Sequence, residues 1–305
     1  DIAYAIWQYW QNSGDDEFLI KRGAEVILET ARFWASRVEW KPELDRYEIS
    51  DIIGPDEYHD HVDNNIYTNA MARWNLQTAF QLIDWLAAHA PADLERLKRK
   101  IKLRGAELET WKQVIEKIYL PFDAQTGLVE QFEGYFQRED VNLAALEPRS
   151  DSMQSILGIE GVNRTQILKQ PDVLMLMYLL PELYSEDVMR TNYAYYTART
   201  DHTFGSSLGP SIMAIMAARA NDPSAAYEHF MRAARADLFN VRNNAGDGIH
   251  GASAGGLWQA VVFGFGGLRQ GAEGWEARPN LPPHWKRLAF RIVERGQVRE
   301  FDLKN

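Results

Sequence analysis

Along most of the chain, apolar residues recur every three or four positions, the spacing that gives a helix one buried face. Asp1 to Trp10 reads as a helix already under way, with no initiating Met. Gly14-Asp15-Asp16 breaks the pattern and caps a second helix, Glu17 to Val38, with apolar Phe18, Ala24, Ile27, Leu28, Ala31 and Trp34 on one side. A long loop over 39–63 follows and holds the strand-like piece Arg46-Tyr47-Glu48-Ile49. Further helices are expected at about 65–88, 92–117, 164–180, 183–198, 207–219, 223–236 and 255–268. Residues 118–150 read as irregular, with an extended piece at Leu128–Phe132. Short turns alternate with long loops between the helices. That alternation points to an all-α fold of helix pairs, an α/α toroid with its loops gathered at one end.

Near Gly271 the pattern changes. Trp275 to Pro283 cannot be helical, because its prolines remove donors and restrict the residues before them. Leu288–Val293 and Val298–Leu303 then alternate like hairpin strands around Glu294-Arg295-Gly296-Gln297. Two strands do not make a stable sheet alone. The expected organisation is therefore an incomplete helical barrel over 1–268, then a linker and the start of a C-terminal β-domain over 269–305. With early helices missing, the aromatic faces of Ile2–Trp10 and Phe18–Trp34 are expected to lie exposed, so that the chain alone aggregates or binds another.

Composition narrows the function. A net charge of -10 argues against a nucleic-acid partner. The basic run Arg96–Lys100 sits in a helical pattern and reads as a solvated face. With no cysteine there is no disulfide, thiolate nucleophile or Cys-bound zinc. No apolar run reaches the roughly 18 residues of a membrane span, and the N-terminus is not a signal peptide, so a soluble cytoplasmic protein is expected. Aromatic residues make up 12% of the chain, a usage that suits sugar sites, where a ring covers the C–H face of a pyranose.

The densest chemistry lies in Asp51-Ile52-Ile53-Gly54-Pro55-Asp56-Glu57-Tyr58-His59-Asp60-His61-Val62-Asp63-Asn64-Asn65. Gly54-Pro55 signals a turn, and Asp63 or Asn64 can cap the helix that follows. So many ionisable groups on one irregular segment suit presented chemistry better than core packing. Lys169 and Gln170, just before the helix Val173–Leu180, offer donors and an acceptor for sugar hydroxyls. Asp201-His202-Thr203-Phe204-Gly205-Ser206-Ser207-Leu208-Gly209-Pro210 and Asp247-Gly248-Ile249-His250-Gly251-Ala252-Ser253-Ala254-Gly255-Gly256 are small-residue loops that each feed a helix N-terminus, suited to an oxyanion or phosphate. Neither has nucleotide-fold spacing. Two rival readings are weaker. His59 and His61 with Asp60 and Asp63 share a face if extended and can bind a metal. Asp201, His202 and Ser206 can be arranged as a hydrolase triad, although no GxSxG elbow exists.

Gly54-Pro55-Asp56-Glu57-Tyr58-His59, with Val62-Asp63-Asn64-Asn65 and Tyr67-Thr68-Asn69, resembles the catalytic-acid segment of glycoside hydrolase family 65. Lys169-Gln170, Gly205-Ser206-Ser207-Leu208 and Gly248-Ile249-His250 with Ala252-Ser253 and Gly255-Gly256 follow in that family's order. The family contains inverting α-glucoside phosphorylases for maltose, kojibiose, nigerose, trehalose and glucosylglycerol. The resemblance implies part of an (α/α)6 catalytic barrel without the family's N-terminal β-sandwich. It implies Glu57 as proton donor, Lys169 and Gln170 in the glucose subsite, and Ser206, Ser207, His250 and Ser253 on phosphate. It also implies a disaccharide and inorganic phosphate as substrates, no cofactor or metal, and a homodimer in the full-length form. Asp60 stands where many members carry Glu, and Gly209 and Met213 where several carry Ser and His. His59 and the acid after it fit the kojibiose branch better than the maltose type. An inverting hydrolase needs a second carboxylate, and none lies in Gly205–Gly209 or Ile249–Gly256, which favours phosphorolysis over hydrolysis. A hydrolase of the same family, or a sugar-binding fragment without turnover, remains the alternative.

Overall fold

The computed structural model describes residues 1–241, 243–271 and 274–304. They fall into two compact units, one of residues 1–52, 63–120 and 291–299, the other of 53–62, 121–290 and 300–305.

In the first unit, α1 (Ile2–Ser13) ends at a left-handed Gly14, and Asp15 caps the next turn by accepting from the Phe18 amide at 2.9 Å. Helix α2 (Asp16–Phe18) runs through a π-helical turn, Leu19–Gly23, into α3 (Ala24–Arg37). The hairpin β1 (Glu39–Lys41) and β2 (Arg46–Glu48) precedes α4 (Ile66–His89), α5 (Pro91–Ile101) and α6 (Gly105–Lys117). The helix expected over 92–117 is two helices, because Lys102 turns left-handed after α5 and Arg104 with Glu107 forms a capping box for α6. The cap of α4 is Asn65, which accepts from the Thr68 amide, while Asp63 and Asn64 bond the amides of Asp51 and Ile49 instead. Trp7, Trp10, Leu19, Ile27, Leu28 and Ala31 form one core with Leu76, Ala79, Leu82 and Trp111. Each large apolar side chain so buried contributes about 1.5–3 kcal/mol. The aromatic faces expected to lie open are thus largely covered: Trp7 and Trp10 are 7% and 6% exposed, while Ile2, Tyr9 and Phe33 stand out on these helices.

In the second unit, the short pair β3 (Phe122–Asp123) and β4 (Leu128–Val129) precedes two single-turn helices, α7 (Met153–Leu157) and α8 (Ile159–Asn163). Then come α9 (Asp172–Leu179), α10 (Glu186–Thr197), α11 (Gly209–Arg219), α12 (Pro223–Leu238) and α13 (Gly251–Gln259), which passes into a π-helical turn, Ala260–Phe265. The helix expected over 164–180 begins only at Asp172. Pro171 disfavours helix before it, and Leu168 pairs in parallel with Thr200 through its own amide and carbonyl. Helix α11 is buried on every side, from Gly209 through Ala218, and packs against α9, α12 and α13. Strands β5 (Leu268–Gly271) and β6 (Gly274–Ala277) form one antiparallel pair. The expected terminal hairpin is present as β7 (Arg287–Glu294) and β8 (Gln297–Lys304).

Candidate active site

The acid-rich loop is built around a residue that does not face solvent. Asp56 is 1% exposed. Its Oδ1 accepts from the amides of Tyr58 at 3.3 Å, Lys169 at 2.8 Å and Gln170 at 3.4 Å. Its Oδ2 accepts from Gln131 Nε2 at 3.0 Å and meets His59 Nδ1 at 2.6 Å. Burial of a carboxylate is tolerated only with this degree of pairing. The other ring nitrogen of His59 meets the carbonyl of Thr165 at 2.8 Å. Both ring nitrogens of His59 are engaged within the fold and the ring is buried, and no group of three metal-ligating side chains gathers among the described residues.

Glu57, next in sequence, turns the other way. Its side chain is 62% exposed and pairs with Lys169 Nζ. Gln170 Nε2 donates to the carbonyl of Pro55. The acid loop and the Lys169-Gln170 segment are thus fastened at several points although more than a hundred residues separate them. The serine loop closes onto the same place. A Cβ on Gly205 would stand 2.7 Å from the Lys169 carbonyl and closer still to that of Asp201, so only glycine lets these backbones approach. A Cβ on Gly209 would touch Ser206 at 3.5 Å and Gln170 at 3.8 Å. Ser206 Oγ accepts from the amides of Leu208 and Gly209 at the start of α11. The third loop is drawn in by α13: a Cβ on Gly256 would lie 2.7 Å from Ser211 Cβ. Three residues before Gly256, the buried Oγ of Ser253 has no hydrogen-bond partner, a condition that calls for a ligand or water.

The triad reading does not survive. The Asp201 carboxylate, fully buried, accepts from Arg149 Nη2 at 2.8 Å, the Tyr58 hydroxyl at 2.9 Å and the amides of Phe204 and Met153. Burial pushes its pKa up, but the Arg149 and Phe204 bonds outweigh that and hold it below the usual carboxylate range. His202 instead meets the Thr197 carbonyl at 2.9 Å and packs on His229, ring centres 4.8 Å apart. Burial lowers the pKa of both rings, that of His229 to about 3. His202, Ser206 and Ser207 line a cavity of about 610 Å³ with Arg232 and Arg235 of α12.

A carboxylate absent from the local sequence does reach the third loop. Asp237, near the end of α12, accepts the His250 amide at 2.8 Å on Oδ2 and meets His250 Nδ1 at 2.5 Å on Oδ1. Both oxygens are thereby occupied on one residue, and His250 holds the Asp237 carboxyl below its ordinary pKa. Gln131, Arg149 and Asp237 were invisible as site residues because the partners that bring them here lie 13 to 75 positions away.

This helical fold has a counterpart among solved structures. A chain from the human microbiome, described as a kojibiose phosphorylase by inference, matches with a TM-score of 0.89 and 30% identity over 99% of this chain and 44% of that one. The profile of the glycosyl hydrolase family 65 central catalytic domain matches residues 1–259, and the chain belongs to that family. Curated relatives include the kojibiose phosphorylases of Caldanaerobacter subterraneus subsp. tengcongensis, 45% identical over 98% of this chain, and Thermoanaerobacter brockii, 46% identical over 98%. The maltose phosphorylase of Bacillus subtilis is 31% identical over 97%. The chain spans 39% of the length of either kojibiose phosphorylase. Among the described residues no helix is long and apolar enough to cross a membrane.

Proposed function

We propose that this chain carries the acid and anion sites of an inverting α-glucosyl disaccharide phosphorylase, with a kojibiose-like substrate favoured. The observation that supports it most is the continuity from Glu57 through Lys169 and Gln170 to Gly209 and Ser206, which sets a carboxylate, a lysine, a glutamine and a serine loop side by side. In this reading Glu57 gives its proton to the leaving glycosidic oxygen as the bond to the anomeric carbon breaks. A phosphate oxygen forms the new bond from the opposite face, which inverts the centre and yields β-glucose 1-phosphate. Lys169 and Gln170 hold glucose hydroxyls, so Lys169 exchanges Glu57 for the sugar on binding. Ser206, Ser207, His250 and Ser253 receive phosphate, and no cofactor is required. The higher identity to kojibiose phosphorylases, 41–46% against 31% for the maltose enzyme, supports the favoured substrate.

Glu228, on the serine-loop cavity, pairs with Arg232, and the Asp201 and Asp237 carboxylates are likewise committed, to Arg149 and His250. None is free to activate water, which speaks for phosphate over hydrolysis. The test is one assay of disaccharide cleavage by the full-length protein with and without phosphate. Cleavage that needs phosphate and yields β-glucose 1-phosphate is expected; free glucose in water alone indicates a hydrolase, and binding without turnover a sugar-binding role. Glu57→Gln is expected to lower turnover by about 10²–10⁴-fold, the usual worth of a general acid. His250→Ala is expected to raise the phosphate requirement while leaving disaccharide affinity nearly unchanged, with Ser253→Ala a weaker version. A homodimer and a cytoplasmic location belong to the same reading; light scattering on the full-length protein tests the first.

A further inference from the structure

We propose that Asp237 is a positioning residue for phosphate recognition, acting through His250; this rests on the phosphorylase reading. His250 is the residue before the first turn of α13, and a single carboxylate grips it at two points, the backbone amide and the ring. A carboxylate only accepts, so Nδ1 carries the hydrogen, and the ring can rotate about neither of its side-chain bonds without breaking a 2.5 Å contact. The atom left for a ligand is Nε2. Its neighbour is Asn244 Nδ2 at 3.4 Å, at the loose end of hydrogen-bond range, so nothing firm has to be displaced there. The unpartnered, buried Ser253 Oγ lies one helical turn on. Asp237 sits in the last turn of α12, where a helix end disfavours a negative charge, and among the described residues its ion pair is with His250 and not with Arg235 or a lysine. A carboxylate kept at an unfavourable helix end for the sake of one histidine fits a role in setting that histidine. The bland alternative is a staple that merely fastens α12 to α13.

The two differ in which substrate they affect. In the full-length enzyme, Asp237→Asn leaves the backbone grip partly intact and loosens the ring. The phosphate KM is expected to rise about tenfold, by analogy with losing the carboxylate that orients a metal-bound histidine. The disaccharide KM is expected to stay within about twofold, since the ring's partners are Asp237 and Asn244 and not the proposed glucose contacts Lys169 and Gln170. In a His250→Ala background the same change is expected to have no further effect on the phosphate KM, because a residue that acts through another has nothing left to act on. An unchanged phosphate KM overturns the proposal. So does an equal rise in both KM values with a lower Tm, or full additivity with His250→Ala. If Asp237→Asn does not fold, Asp237→Glu serves, with the same selective rise expected and an equal rise in both KM values again overturning it. A wild-type enzyme that cleaves disaccharide without phosphate removes the phosphorylase reading and this inference together. A phosphate-requiring wild type indifferent to Asp237 removes the inference alone.

Discussion

Replacing Asp56 by Asn separates the carboxylate that builds the site from its neighbour proposed to act in it. The side chain is 1% exposed and serves five donors: three amides on Oδ1, and Gln131 Nε2 and His59 Nδ1 on Oδ2. Asparagine can keep an oxygen for the amides, but it then turns its NH₂ group toward Gln131 and His59. His59 can adapt by offering Nδ1 as an acceptor while Nε2 keeps the Thr165 carbonyl. Gln131 cannot, because its Oε1 is held by the Asp172 amide at 3.2 Å. At least one buried donor is therefore orphaned, at about 1–3 kcal/mol, and one charged hydrogen bond is lost, at about 1.5–3 kcal/mol. A total of about 2.5–6 kcal/mol is a large share of the 5–15 kcal/mol typical of a domain. Denaturant unfolding of Asp56→Asn, Glu57→Gln and the parent measures it. Glu57, at 62% side-chain exposure, is expected to shift stability by no more than about 0.5 kcal/mol. An Asp56→Asn variant with the parent's midpoint and slope refutes the reasoning.

Arg149→Met strands the Asp201 carboxylate, whose side chain is 0% exposed against 4% for Arg149, and is expected to cost about 3–5 kcal/mol by denaturant unfolding; a neutral result means that the Tyr58 and backbone donors suffice. His229, with a pKa depressed by burial from 6.5 to about 3, binds a proton more readily unfolded than folded. Its contribution is present above about pH 6.5 and is lost as pH falls toward 3, at about 1.4 kcal/mol per unit. His229→Gln is therefore expected to flatten the acid limb of a stability profile over that window. Gly205→Ala drives a methyl group into the Lys169 and Asp201 carbonyls, and is expected to lower Tm and raise the disaccharide KM; an unchanged KM shows that the loop yields without moving Lys169.

What the sequence made legible was local. The Gly-Pro-acid loop, Lys169-Gln170, both glycine and serine loops and the terminal hairpin all announce themselves within a dozen residues, where spacing and turn chemistry act. What it hid was pairing at a distance. Asp56 reads as a second candidate acid until the amides of Lys169 and Gln170, 113 and 114 positions on, are seen to occupy it. Asp237 lies just past the helix expected over 223–236, and nothing along the chain ties it to His250. Periodicity also overran its elements: the apolar run of α9 lent helical character to 164–171, which pairs with the 199–201 segment instead. The cap of α4 slipped by a residue or two because Asp63, Asn64 and Asn65 can all cap, and only the tertiary partners of the first two decide among them.

Asp56 recognises positions 169 and 170 by their peptide N–H groups, which every residue except proline supplies. This part of the fastening between the two segments is therefore blind to the side chains there, whereas the Glu57–Lys169 and Pro55–Gln170 bonds are not. Exchange of Lys169 or Gln170 removes its side-chain bond to the acid loop but leaves the amide bonds to Asp56 in place. Variation of the side chains at these two positions can thus proceed while the backbone register of the acid loop holds.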